Sequence, residues 1–297
     1  MTFISRIALL PVVAIAPLLS GCFIISTHSK LPVPMAPAVT QTATPEELVA
    51  QVNKRWDNLQ TLTATVTVQL STYQTSAGVA TNYTTFPGVI LIRKPEMLRV
   101  FGQYPVVHTR MLDIVSDGKN FTLWIPNKNK VIKGSNTLGK KSDSTMENIR
   151  PAFFFDAMVI RGVDPGDDYL VSADSETVED VTKKRLLFTP EYNLTIAHRK
   201  ADSHELKPVR VITFHREDLL PYEQDLYDNE GNLETHVSYA NYTGTGDDKY
   251  PQLITIKRPN DGFQIVITVE SVKENQKLED EQFHFDVPDG TTVENLK

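Results

Sequence analysis

The sequence predicts a mostly β protein of the α+β class, and three observations support this prediction. Residues 61–70 alternate between apolar and polar side chains, which is the period of a half-buried strand. Further segments of strand length follow closely, separated by turns such as Asp117-Gly118 and residues 228–232. Two segments have features typical of helices. Because the connections between strands are short, we expect an antiparallel sheet.

The first predicted helix runs from Pro45 to about Leu59. Thr44 suits the N-cap, Pro45 suits the first helical position, and Glu47 completes a capping box. An apolar stripe at helical spacing consists of Leu48, Val52, Trp56 and Leu59.

Strands are predicted along most of the remaining chain. In the first half we expect them at 61–70, 88–95, 98–102, 111–116, 121–125 and 130–133. In the second half we expect them at 169–173, 184–188, 193–199, 209–216, 222–227, 233–242, 252–258, 263–272 and 282–286. Residues 263–272 are apolar on both faces around Val266, which predicts a central strand.

The second helix candidate covers residues 144–158. Ser144 and Glu147 are spaced as a capping box, and Pro151 should kink or divide the segment. Residues 153–155 are three consecutive phenylalanines, which cannot all lie on one side of a helix. Either some of them meet a second apolar surface, such as a lid, a cavity wall or a ligand, or two are buried and one is half-buried in an ordinary core.

The N-terminus has the layout of a secretory signal peptide over residues 1–21, with Arg6 followed by an apolar run at 7–19. The tetrapeptide Leu19-Ser20-Gly21-Cys22 resembles a bacterial lipoprotein signal. This resemblance implies cleavage before Cys22 and acylation of that residue, so that the chain is anchored to membrane lipid. An ordinary signal peptide with an incidental cysteine is the alternative. Phe23 after the cysteine implies the outer membrane, and residues 22–43 resemble a flexible tether.

Composition and motifs exclude several functional classes. A net charge of −7 argues against nucleic acid as a partner. The single cysteine precludes an intramolecular disulfide. The sequence contains no nucleophile elbow, phosphate-binding loop, dinucleotide fingerprint or tight metal-ligand spacing. His198, His204 and His215 could converge across neighbouring strands, but we expect no metal, no cofactor and no enzymatic activity.

A series of motifs in the first half resembles the family of Lol-type outer-membrane lipoprotein carriers and receptors. The matching residues are Gly88, Lys94-Pro95, Arg99, Ser116-Asp117-Gly118-Lys119, Leu123-Trp124 and, near the end, residues 283–290. The resemblance implies a half-open, strongly curved antiparallel sheet, an incomplete barrel with helices packed on its concave side. It implies a single such domain at 44–297, and the lipidated N-terminus favours the membrane-anchored branch.

Two positions depart from the family pattern. Lys94 stands where the soluble carrier has an arginine that holds the lid closed, and strand alternation directs Arg93 to the opposite face. The receptor has an exposed leucine on its first hairpin loop, where residues 76–82 here offer Val79.

We therefore expect a lipid-anchored protein on the periplasmic face of the outer membrane. It would bind acyl chains or lipoproteins in an apolar hollow, as a receptor or carrier in lipoprotein or lipid sorting. The alternative is a structural or signalling lipoprotein that uses the same fold as an interaction module for other envelope proteins. Strand alternation predicts that the hollow is lined by Trp56, Val66, Val68, Ile90, Ile92, Leu112, Ile114 and Phe154.

Overall fold

The computed structural model describes residues 35, 39–74, 78–136, 150–180, 185–200 and 203–296. The predicted signal peptide, Cys22, most of the predicted tether and the capping box of Ser144 and Glu147 lie outside these residues.

The described residues form one large, curved and open sheet. Its first seven strands are β1 Thr61–Gln74, β2 Val79–Asn82, β3 Phe86–Arg93, β4 Met97–Gln103, β5 Arg110–Ser116, β6 Asn120–Ile125 and β7 Lys130–Ser135. The others are β8 Asp168–Asp180, β9 Arg185–Arg199, β10 Leu206–His215, β11 Pro221–Tyr227, β12 Leu233–Thr243, β13 Tyr250–Arg258, β14 Phe263–Glu274 and β15 Thr292–Asn295.

The strand order is β15-β7-β6-β5-β4-β3-β1-β14-β13-β12-β11-β10-β9-β8, and β2 pairs with the end of β1. Each half is an antiparallel meander, and β1 pairs with β14 to join the halves. The central position of β14 confirms the prediction made from its two apolar faces. The pairing of β15 with β7 is parallel. No pairing between described residues joins β15 to β8, so the predicted mostly β, half-open architecture is confirmed.

Two α-helices complete the described architecture, and α1 spans Pro45–Asn58. The predicted capping box is present. The Glu47 amide donates to Thr44 Oγ1 at 3.2 Å, and the Thr44 amide donates to a Glu47 carboxylate oxygen at 2.8 Å. Leu48 and Val52 bury the apolar face of the helix. Neither described helix has the length and apolar character needed to cross a membrane.

Helix α2 is short, Ala152–Met158, and starts directly after Pro151. All three phenylalanines are buried, which differs from the expectation of one half-buried ring. Phe155 meets Trp56 of α1 edge-on at a centroid separation of 6.4 Å, and Phe153 packs on Phe263 of β14 at 5.6 Å. Because α2 contacts both α1 and the sheet, apolar surface meets it on more than one side.

The C-terminal segment corrects one strand prediction. Residues 282–286 do not form a strand, because Asp280–Phe283 is a 3-10 turn. Phe283 packs with Leu91 and Leu278, and Arg93 donates to the Leu278 carbonyl at 2.9 Å. Side chains thus hold this segment on the face of the sheet opposite to α1. The contacts of Arg93 also confirm the face assigned to it by alternation.

One further boundary differs from the prediction. Residues 184–188 and 193–199 were expected as separate strands, yet β9 is continuous from Arg185 to Arg199. Pro190 does not interrupt it, because pairing with β10 ends at Glu191, opposite His215. Pro190 lies just outside the segment that pairs with β10, so its missing amide proton removes no hydrogen bond to that strand.

Candidate functional site

The residues predicted to line a hollow lie together, but in a filled core. They belong to, or pack on, one apolar cluster formed by β1, β3, β5 and the two helices. Trp56 and Leu112 are half-buried, whereas the other six are buried, namely Val66, Val68, Ile90, Ile92, Ile114 and Phe154. The phenylalanines of α2 occupy the space in front of these strands. A ligand-binding role for the eight residues therefore stays a prediction.

Helix α1 is fixed to the first half of the sheet by Lys94. The Lys94 ammonium donates to the Trp56 carbonyl at 2.6 Å and lies 4.0 Å from the centroid of the Trp56 ring. A cation suits the C-terminal turn of a helix, where carbonyl groups are left unsatisfied. Burial lowers the pKa of Lys94, and the nearby Asp57 carboxylate opposes this shift. Lysine thus joins strand and helix here with a single donor atom.

A cavity of about 750 Å³ lies on the other side of α1, between that helix and the strands β11 to β14. None of the eight predicted residues lines it. Its apolar and aromatic wall consists of Val52, Leu59, Met158, Val159, Ile160, Phe214, Leu220, Pro221, Tyr239, Tyr242, Tyr250 and Pro251. This volume is within the range of small-molecule sites in proteins.

Three tyrosines supply much of the aromatic wall, and their hydroxyl groups are turned toward protein partners. Tyr250 donates to the Met158 carbonyl at 2.8 Å, and Tyr242 donates to the Pro221 carbonyl. The Tyr239 hydroxyl accepts a long hydrogen bond of 3.4 Å from Gln224. Burial raises the pKa of each of these tyrosines above its usual range. The rings therefore remain neutral and present mainly carbon to the cavity.

The rim of the cavity carries charges of both signs. Arg55, near the end of α1, forms a two-pronged ion pair with Glu274 of β14, one of whose N–O distances is 3.0 Å. The other charged residues that line the cavity are Glu47, Lys54, Asp218, Asp248 and Lys249. Apolar walls with an ionised rim suit an amphiphile whose chain enters the cavity while its head stays at the surface.

The segment that follows α2 is held by buried and half-buried polar groups. Arg210 of β10 donates to the Arg161 carbonyl at 2.6 Å and also to the Gly162 carbonyl. Asn53 of α1 accepts a hydrogen bond from the Val163 amide at 2.6 Å. Gln224 donates to the carbonyl of Asp156 at 2.9 Å. Helix α2 cannot move away from the sheet without breaking hydrogen bonds of this kind.

The described residues contain no group of three or more histidine, cysteine, aspartate or glutamate side chains that could hold a metal ion. His198 and His215 each pair with a carboxylate, Asp167 at 2.8 Å and Glu191 at 3.5 Å. These pairs lie on different stretches of the sheet and do not assemble with His204 into a site.

Sequence reasoning missed the tyrosine wall, although a signal was present. Five of the ten tyrosines lie between residues 222 and 250. Such local enrichment in a β segment indicates an aromatic surface, but it does not show whether that surface is packed or open. The opening depends on the distance between α1 and the sheet, which the sequence does not specify.

No protein-family model matches this chain. A search of curated proteins also found no match.

Several solved structures resemble the fold. A DUF1329 family protein from Desulfovibrio piger is 15% identical, with a TM-score of 0.49 over 81% of this chain and 95% of that one. A LolA superfamily protein from Nitrosomonas europaea is 15% identical, with a TM-score of 0.48 over 82% of this chain and 99% of that one. An outer membrane lipoprotein-sorting protein domain from Vibrio parahaemolyticus is 13% identical, with a TM-score of 0.47 over 81% of this chain and 97% of that one.

At identities of 15% or less and TM-scores below 0.5, these matches say nothing about a ligand or partner of this chain.

Proposed function

We propose that the protein is a non-enzymatic receptor or carrier that binds the acyl chain of a lipid or lipoprotein in the cavity beneath α1. The observation that supports this most is the combination of about 750 Å³ of space, a carbon-rich wall and an ionised rim. Each methylene transferred from water to such a wall contributes about 0.8 kcal/mol. A long chain therefore binds without any dedicated polar contact inside the cavity.

In this proposal, the eight residues predicted from the sequence form a deeper part of the cavity wall. Met158 and Val159, at the end of α2, form part of the cavity boundary. If α2 moved away from the sheet, the cavity would extend toward Val66, Ile90 and Phe154. The movement would be passive, driven by the burial of ligand carbon against these side chains.

We further propose that acylated Cys22 anchors the chain at the periplasmic face of the outer membrane. The proposal rests on the sequence alone, from the signal over residues 1–21 and the cysteine that follows it. Labelling cells with a palmitate analogue tests it. The wild-type chain should incorporate label and Cys22→Ala should not, whereas label that persists in this variant would refute the anchor.

The experiment for the binding function uses the full chain extracted in mild detergent. Native mass spectrometry should detect co-purified lipid. A fluorescent fatty acid should show saturable binding and should be displaced by palmitate. Absence of lipid together with absence of fatty-acid uptake would refute acyl-chain binding.

The filled core in front of β1, β3 and β5 favours one other function. A protein without an expandable hollow could serve as an interaction module for other envelope proteins. Capture of a specific protein partner by a chain that takes up no fatty acid would favour this second function.

A further inference from the structure

The two outer edges of the sheet differ in how they are covered. At one edge, the short strand β15 pairs with β7 and carries Glu294, which forms an ion pair with Lys130. At the other edge, β8 pairs with β9 along all 13 of its residues. No described residue pairs with the outer side of β8. A long edge strand with free amide and carbonyl groups is a template for a further strand.

The charge on β8 is strongly one-sided. Its sequence contains five acidic residues and no basic one, since it reads DYLVSADSETVED. Asp174 and Glu176 are exposed and two positions apart, so they project on the same face of the strand. That face is opposite to the one on which Val171 packs against the apolar cluster of β9 and β10.

The neighbouring strand adds a carboxylate on the same face. Glu191 of β9 lies directly opposite Asp174 in the register of the two strands. Like charges at directly opposed positions destabilise a sheet. Glu191 is only 9% exposed, and its ion pair with His215 is long, at 3.5 Å. Burial raises the pKa of Glu191 to about 7, and Glu176, Glu223 and Asp174 add to the shift.

Two arginines of β9 lie near the ends of β8, and the register places one of them, Arg185, opposite Asp180. Arg199 pairs with Asp168 at the far end of β8, at 3.1 Å, and not with Asp174 or Glu176. A basic side chain from outside would offset the repulsion between Asp174 and Glu191. A second copy of β8 would instead bring more carboxylates to the same edge.

We propose that the outer edge of β8 binds an extended polypeptide segment with basic residues at every second position, as an additional strand of the sheet. Main-chain hydrogen bonds to β8 supply affinity. Basic side chains on one face of the added strand pair with Asp174 and Glu176, and this pairing supplies specificity. The surface lies outside the cavity, so it does not depend on acyl-chain binding.

The test uses the full chain in mild detergent and a fluorescent peptide of about ten residues in which lysine and valine alternate. A peptide with the same composition, arranged as a lysine block and a valine block, is the comparison for charge alone. Fluorescence anisotropy should show saturable binding of the alternating peptide, at least about tenfold tighter than binding of the block peptide. Hydrogen exchange should slow at residues 168–180 when the alternating peptide is bound.

Variants test the charged contacts. The double substitution Asp174→Lys and Glu176→Lys should weaken binding of the alternating peptide by about tenfold or more. Its matched control is Glu281→Lys with Asp289→Lys, which reverses the charge at two exposed positions of the C-terminal segment. This control should leave binding unchanged. Equal binding of the two peptides, unchanged exchange at 168–180, or a self-associated β8 edge in the free protein would each overturn the proposal. The peptide comparison and the exchange experiment need no variant, so they remain decisive if the substitutions impair folding.

Discussion

Blocking the cavity with a single bulky side chain should weaken acyl-chain binding in a calculable way. Ala50 lies on the exposed side of α1 and lines the cavity, so Ala50→Trp places an indole ring in the space without displacing a core residue. A tryptophan side chain buries about 200 Å². If half of it enters the cavity, it excludes about 100 Å² of ligand surface, which corresponds to about three methylenes at 25 cal/mol/Å².

The expected loss follows from those methylenes. At about 0.8 kcal/mol each, three of them amount to about 2.4 kcal/mol, which is roughly a fiftyfold increase in Kd. Titration of a fluorescent fatty acid measures this Kd directly. Glu46→Trp is the matched control, because Glu46 is exposed on the same helix and does not line the cavity. Equal affinity of Ala50→Trp and the wild type would refute binding in this cavity, provided that both proteins unfold at similar denaturant concentrations.

Three further predictions concern stability. Tyr250→Phe removes the hydrogen bond to the end of α2 and should lower the free energy of unfolding by about 1 kcal/mol in urea titrations, whereas Tyr83→Phe, at an exposed ring, should not. Phe155→Ala should lower it by about 3–5 kcal/mol, because the ring is fully buried, and Phe188→Ala, at an exposed ring, should lower it by much less; similar losses would contradict the assigned packing. The pKa of Glu191 is raised from 4.5 to about 7 in the folded protein, so its contribution to stability is present below pH 4.5 and is lost as the pH rises to about 7. Urea titrations across this range should give a flatter pH dependence for Glu191→Gln, and an unchanged profile would contradict the shift.

The sequence was a good guide to the sheet and a poorer guide to the open space inside it. Period-two alternation in β1 predicts a strand that the structure contains, because one face of that strand packs on the apolar core. The apolar residues around Val266 predict the central position of β14, which the structure shows, although only the face that carries Ile265 and Ile267 is buried. The capping box of Thr44 and Glu47 is equally local, and it is present. The strand predicted at 282–286 is absent, because this segment is held by side-chain contacts with distant strands, such as the packing of Phe283 on Leu91.

The candidate site shows the same division between local and long-range information. Alternation assigned Val66, Ile90 and Ile114 to the face on which the helices pack, and all three belong to one cluster. Alternation cannot tell a packed face from an empty one. The space in front of these residues is filled by the phenylalanines of α2, while the open cavity lies on the other side of α1, at Tyr242. Which side of a helix remains open depends on how the helix docks, and that is decided by contacts far apart in the sequence.

Locating a bound acyl chain tests most directly whether the cavity beneath α1 is the binding site. A fatty acid with a photoreactive group near its methyl end should be incubated with the full chain, irradiated, and mapped by mass spectrometry of the peptides. Binding beneath α1 predicts labelling of α1 around residues 50–58 and of the tyrosine wall at 239–250, both lost on competition with palmitate. Competed labelling confined to other surfaces, or no specific labelling, would contradict it.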